Sequence, residues 1–326
     1  MLLLFLLALI AGLVLLLWSA DKFVDGGAAS AKHLGVPTLL IGILIIGFGT
    51  SAPEMLVSLI AALDGNPQLA LGNAFGSNIT NIALIIGATA VVAPIVVHSR
   101  IISKELPLVL IITLASGWMV YDGVLSFLEG SLLLLGFGML IFWSIYGGLK
   151  ARADSFSCEV DRDIQEHEMG LKESLFWLFA GIVLLIASSK LLVWGAVGIA
   201  TALGVSDLVI GLTIVALGTS LPELSSCIVA VKKKEYDLAL GNIVGSNMFN
   251  ILAVIGISAT IAPMNNLPEA VFYRDWIIMF TLTITLFFMA YRFGAKKKII
   301  TRFDGILLLV AYAAYSFYLF YSVVAG

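Results

Sequence analysis

One short block, Gly49-Thr50-Ser51-Ala52-Pro53-Glu54, decides most of what this chain can fold into. It lies inside an otherwise apolar run from Leu39 to Leu63. It returns as Gly218-Thr219-Ser220-Leu221-Pro222-Glu223 inside the run from Leu208 to Val231. Apolar runs of this length span a bilayer. A glutamate near the middle of one is costly in hydrocarbon and marks a functional site. The proline before each glutamate removes a backbone donor and clashes with the carbonyl four residues back. Freed carbonyls are therefore expected near Ile46 and Gly49, and near Val215 and Gly218. Broken backbone at membrane depth is tolerated only inside protein or along a wet cavity. Each copy thus offers carbonyls, two hydroxyls and a carboxylate, an all-oxygen group that suits a hard cation.

Composition points the same way. Hydrophobic residues make up 60% of the chain and charged residues 12%, with a mean hydropathy of +1.07, which defines a polytopic membrane protein. No basic patch is interleaved with exposed aromatics, which argues against nucleic acid as a partner. Cys158 and Cys227 have no motif spacing, so neither a disulfide nor a metal site is expected. His33, His98 and His167 fall in or near loops, which disfavours a histidine proton relay in the core. Met1 to Ala20 lacks a positive n-region and reads as a first span rather than a signal peptide.

The expected fold is all-α and integral to the membrane, with about ten transmembrane helices. They are placed near 2–20 (with Asp21 and Lys22 a natural extension), 36–63, 69–93, 104–121, 127–149, 173–202, 205–231, 237–261, 271–292 and 303–324. The polar stretch 150–172 carries Asp154, Glu159, Asp161, Asp163, Glu166 and Glu168 without EF-hand spacing, and reads as a solvated cytoplasmic linker. Of the 18 lysines and arginines, 16 fall in the odd-numbered gaps between spans, leaving Arg274 in an even gap and Lys190 inside the sixth span. The positive-inside rule makes the odd side cytoplasmic and puts both termini outside.

A shift of 169 residues aligns Val36–Pro94 with Val205–Pro263 without a gap and with 26 identities. Five spans separate matching residues. Five is odd, so the copies run in opposite senses, as in the inverted repeats of secondary transporters. The expected organisation is a first five-helix repeat over 1–149, a linker over 150–172 and a second five-helix repeat over 173–326. The alignment also matches Leu69–Ile82 with Leu238–Ile251, which adds oxygen donors. Ser77 and Asn81 share one helix face, as do Ser246 and Asn250. Asn73, Asn78, Asn242 and Asn247 read equally well as glue between helices, and Gly72, Gly76, Gly241 and Gly245 leave room for close helix contact.

The two Gly-Thr-Ser-x-Pro-Glu blocks, each followed by Gly-Asn-x-x-Gly-Ser-Asn, resemble the repeats of the calcium/cation antiporter superfamily, the relatives of the sodium–calcium exchangers. The compact prokaryotic members look closest. The resemblance implies a core of spans two, three, seven and eight, with spans one and six as a sliding pair. It implies Glu54 and Glu223 as paired cation-binding carboxylates. Thr50, Ser51, Thr219 and Ser220 match hydroxyl and carbonyl donors. Gly47 and Ala216 match backbone carbonyls, and Ser77, Asn81, Ser246 and Asn250 match flanking ligands. Some exchangers carry an aspartate where this chain has Asn250, so the site charge here is at most −2.

The expected function is Ca²⁺ for Na⁺ exchange across the cytoplasmic membrane by alternating access. Ca²⁺/H⁺ antiport is the alternative, and a cation channel a more distant one. No enzyme activity, cofactor or obligate protein partner is expected. The partners are Ca²⁺, a monovalent counter-ion and the lipid bilayer.

Overall fold

A computed structural model describes residues 1–34, 49–97, 104–150, 169–234, 236–292 and 298–324. In this range the regular structure is all helix apart from two two-residue strands and one isolated bridge. Helix α1 runs over Leu2–His33. It does not stop near Ala20. Gly26 to Ser30 are buried, and their small side chains let α1 continue against a neighbour. Helices α2 (Ala52–Leu63) and α3 (Pro67–Val92) follow, then α4 (Leu106–Val120) and α5 (Phe127–Lys150). Next are α6 (Leu171–Leu203), α7 (Asp207–Thr219), α8 (Leu221–Lys232), α9 (Leu238–Ile261), α10 (Val271–Tyr291) and α11 (Arg302–Val324).

Seven of these helices are long and apolar enough to cross a membrane. The pair α7 and α8 makes an eighth crossing if taken as one span bent by 42°. Helices α2 and α4 are shorter and apolar. The expected second span begins outside the described residues, as do Gly47, Cys158 and the acidic stretch from Asp154 to Glu168.

Apolar side chains cover the outside and polar ones fill the middle. Trp118, Phe142, Phe317 and Phe320 are exposed, whereas Glu54, Glu223, Asn73, Asn81 and Asn250 are buried. That inversion is what a lipid solvent demands, because lipid cannot satisfy a polar group. Helices α3 and α9 are the most deeply buried spans and form the centre of the bundle. Helix α3 packs on α2, α7 and α9, while α11 covers its far end.

Helices α1 and α6 lie against each other along their length. Four glycines set that contact. A Cβ on Gly12 would meet the Leu192 backbone nitrogen at 2.7 Å, and one on Gly26 the Leu178 nitrogen at 2.6 Å. A Cβ on Gly181 would meet Phe23 Cα at 2.8 Å, and one on Gly195 the Leu9 nitrogen at 2.7 Å. These are the same two contacts repeated at a 169-residue shift, since 12 and 26 become 181 and 195.

Arg274 lies not in a loop but in the first turns of α10. Asp275 beside it is fully buried, and a buried carboxylate needs partners. Arg274 Nε and Nη2 donate to its two oxygens at 2.6 and 3.0 Å, and the Tyr315 hydroxyl donates at 2.9 Å. The Tyr315 bond ties α10 to α11. Lys190 and Asp21, equivalent under the shift, both sit exposed on their helices.

Candidate functional site

The prolines break the helices where the sequence places them, and the breaks position the glutamates. Pro53 and Pro222 occupy the first turn of α2 and α8, where a missing backbone donor costs nothing. Ser51 and Ser220 stand at the break with nearly identical backbone angles, φ −90°, ψ 1° and φ −84°, ψ 6°. Glu54 and Glu223 then fall in the first turn of their helices. The positive end of a helix dipole favours a carboxylate there.

Both carboxylates are buried, and hydroxyls hold them. Ser220 Oγ donates to Glu54 Oε1 at 3.3 Å, and Ser246 Oγ donates to Glu223 Oε1 at 3.2 Å. Thr219 also approaches Glu54, while Thr50 and Ser51 approach Glu223. Each glutamate is thus reached by the Thr-Ser pair of the other block. Ser51 Oγ donates to Ser246 Oγ at 3.1 Å, which links the first block to the Glu223 side.

Asparagines brace this group with bonds that come in pairs. Thr50 Oγ1 donates to Asn242 Oδ1 at 3.3 Å, and Thr219 Oγ1 donates to Asn73 Oδ1 at 3.2 Å. Asn81 Nδ2 donates to Asn247 Oδ1 at 3.0 Å, and Asn250 Nδ2 donates to Asn78 Oδ1 at 3.1 Å. Within each pair the two bonds are related by the 169-residue shift. Asn73 Nδ2 also donates to Ser58 Oγ at 3.1 Å and to the Glu54 carbonyl at 3.4 Å. Ser77 Oγ donates to Asn73 Oδ1 at 3.5 Å rather than to a carboxylate.

Among the side chains bonded above, four buried oxygens stay without a partner: Glu54 Oε2, Glu223 Oε2, Asn81 Oδ1 and Asn250 Oδ1. They form two pairs related by the repeat. A buried acceptor left unpaired is costly, and the two glutamates are near enough to interact electrostatically, so their open oxygens suit a cation that supplies the missing charge. The donor set is all oxygen and hard, as Ca²⁺ or Na⁺ would require.

Most of the expected site residues fall in this cluster. Thr50, Ser51, Glu54, Ser77, Thr219, Ser220, Glu223 and Ser246 take part in the bonds around the two carboxylates, whereas Asn81 and Asn250 are bonded to Asn247 and Asn78. Ala216 is adjacent: its carbonyl accepts from the Ser220 backbone at 3.1 Å and from Thr219 Oγ1 at 3.4 Å. Gly47 lies outside the described residues. Asn73, Asn78, Asn242 and Asn247, which the sequence left ambiguous, prove to be the braces of the cluster. Their exact repetition in both blocks is the signal that could have set them apart from ordinary helix glue.

Fold and site together define a multi-pass membrane protein with two buried glutamates set among hydroxyls and amides. The chain belongs to the sodium/calcium exchanger protein family, whose sequence profile matches residues 4–146 and 173–321. It is thereby a calcium/cation antiporter superfamily member, in a family of transporters rather than enzymes. It is 45% identical to the putative antiporter CaxA of Alkalimonas amylolytica, over 96% of this chain and 98% of that one. It is 38% identical to the inner membrane protein YrbG of Escherichia coli, over 87% and 88%. Among solved structures it is similar to the sodium-calcium exchanger NCX_Mj soaked with 100 mM Na⁺ and 10 mM Sr²⁺. The TM-score is 0.64 and the identity 30%, covering 96% of this chain and 98% of that one.

Proposed function

We propose that the protein exchanges Ca²⁺ for Na⁺ across the cytoplasmic membrane by alternating access, with Glu54 and Glu223 as the central ligands. The observation that carries this reading is the set of four unpartnered oxygens, two carboxylate and two amide. Ca²⁺ takes six to eight oxygens at roughly 2.3–2.6 Å. The two glutamates, the Thr-Ser hydroxyls, the amide oxygens of Asn81 and Asn250, the carbonyls near Gly47 and Ala216, and water supply that number.

With Asn81 and Asn250 neutral, the centre carries at most two negative charges. One Ca²⁺ or two Na⁺ neutralise it. An empty, doubly charged centre is expensive to carry through a low-dielectric barrier. Only loaded forms then change sides, which gives exchange rather than leak. Two protons would also neutralise the pair, so the amide at Asn250 favours Ca²⁺/H⁺ antiport as the second reading.

The same reading includes ten spans in two inverted halves, 1–149 and 173–326, joined by a cytoplasmic linker over 150–172. Contacts between loops support it. Val97 N donates to the Lys298 carbonyl at 2.9 Å, and His33 Nε2 meets the Met169 carbonyl at 2.9 Å. Both join gaps of odd number. The bridge between Leu125 and Met264 joins two even ones. A chain that crosses at every expected span makes only such same-side contacts. The odd side is taken as cytoplasmic, with both termini outside.

The test is ⁴⁵Ca²⁺ uptake into proteoliposomes loaded with Na⁺, with K⁺ alone, or with a proton gradient. Uptake driven by the Na⁺ gradient alone is the expected result. Uptake driven by the proton gradient alone selects the second reading, and uptake under none of the three conditions overturns both.

A further inference from the structure

The two halves of the site differ at one position next to the glutamates. Ser58 and Cys227 are equivalent under the 169-residue shift, each four residues after its glutamate and so on the same helix face. Both are buried. In the first half Ser58 Oγ accepts from Asn73 Nδ2 at 3.1 Å. That bond, with the one to the Glu54 carbonyl, aims Asn73 Oδ1 at Thr219. In the second half the Asn242 amide and the Cys227 thiol are neighbours. Yet the buried Asn242 Nδ2 finds no acceptor. The thiol instead turns to the Ala239 carbonyl at 3.4 Å. Sulfur is a weak acceptor, so cysteine cannot do for Asn242 what serine does for Asn73. Asn242 still accepts from Thr50 at 3.3 Å, but its other end faces only the weakly accepting sulfur of Cys227.

We propose that Cys227 is a positioning residue that leaves the Glu223 side of the centre looser than the Glu54 side. It acts through Asn242 and Thr50, and touches no ion. The inference rests on the antiport reading above and deepens it, because it makes two sequence-equivalent carboxylates unequal. A tethered Asn242 holds Thr50 in place and binds the cation more firmly in the loaded state. An untethered one lets the ion leave sooner. The cysteine thus trades affinity for turnover.

The experiment compares wild type, Cys227→Ser, Cys227→Ala and Ser58→Cys by initial rates of ⁴⁵Ca²⁺ exchange in proteoliposomes, taken across Ca²⁺ concentrations. Cys227→Ser gives Asn242 its acceptor. KM for Ca²⁺ and kcat should both fall, each about fivefold, as expected for one added hydrogen bond. Cys227→Ala fills less space and adds no acceptor, so it should not reproduce that paired fall. Ser58→Cys releases Asn73 and should raise KM. A role in packing alone would make alanine the more disturbing change and serine the milder one. Cys227→Ser matching wild type in both constants, or serine and alanine shifting them alike, overturns the proposal. A wild type that exchanges no cation overturns the antiport reading itself, and the inference with it, and is told apart because the failure precedes any substitution.

Discussion

Ser220 Oγ donates to Glu54 Oε1 at 3.3 Å across 166 residues of sequence, so a hydroxyl of the second block holds the carboxylate of the first. The centre is therefore built by neither half alone. Removing that donor leaves Thr219 as the remaining hydroxyl near the carboxylate, with Glu54 Oε2 still unpartnered. Ser220→Ala should raise the KM for Ca²⁺ about tenfold, the worth of a hydrogen bond to a charged group. Exchange kinetics in proteoliposomes check this, with the size-exclusion profile as a control for folding.

Glu54→Gln and Glu223→Gln each keep the shape of the side chain and remove one of the two charges. Each should lower Ca²⁺ exchange about a hundredfold or more, because a buried divalent cation loses half of its counter-charge. Both variants should still be extracted as monodisperse protein. Retained exchange in both would remove the carboxylates from the mechanism.

Acid should act in the same direction as these substitutions. A proton on Glu54 or Glu223 cancels one negative charge and occupies one oxygen. The KM for Ca²⁺ should therefore rise as pH falls, while saturating Ca²⁺ recovers the rate. ⁴⁵Ca²⁺ uptake at matched internal and external pH, repeated at several values, isolates this competition from any proton driving force. A KM that does not change with pH would mean that protons do not share the site.

The α1–α6 contact makes a stability prediction. A side chain at Gly12 has only 2.7 Å to the Leu192 backbone nitrogen, and backbone cannot step aside as a flexible side chain does. Gly12→Val should force the helices apart and cost about 1–3 kcal/mol, the usual penalty for overpacking. Thermal unfolding in detergent reads the loss.

Lys234 offers a change in the opposite direction. It adopts φ +66°, and its equivalent Gly65 adopts φ +80°. A left-handed residue with a Cβ is strained by about 1–2 kcal/mol, of which glycine relieves a part. Lys234→Gly should raise the unfolding temperature by about 2 °C, with transport unaffected.

Much of the site was legible in the chain because it is written twice. Repetition exposed the two Gly-Thr-Ser-x-Pro-Glu blocks, and the prolines located both helix breaks. Other features were not legible for physical reasons. Helix α1 runs on to His33 because Gly26 to Ser30 bury against α6, which hydropathy alone does not register. Arg274 reads as a loop cation until Asp275, itself held by Tyr315 of α11, is seen to neutralise it within α10. Asn73 and Asn242 look interchangeable, and only their neighbours Ser58 and Cys227 separate them.

By itself, the sequence determined the solvent of this protein, the location of its costly groups and their chemical type. Those follow from transfer free energies and backbone sterics, which are local. Only the tertiary structure decided which oxygens pair and which remain open. Hydrogen bonds between Thr50 and Asn242, Thr219 and Asn73, and Ser220 and Glu54 depend on the docking of helices that are far apart in the chain. That docking also decides which buried polar atoms are left with a partner. For Glu54 Oε2, Glu223 Oε2, Asn81 Oδ1 and Asn250 Oδ1 it leaves none.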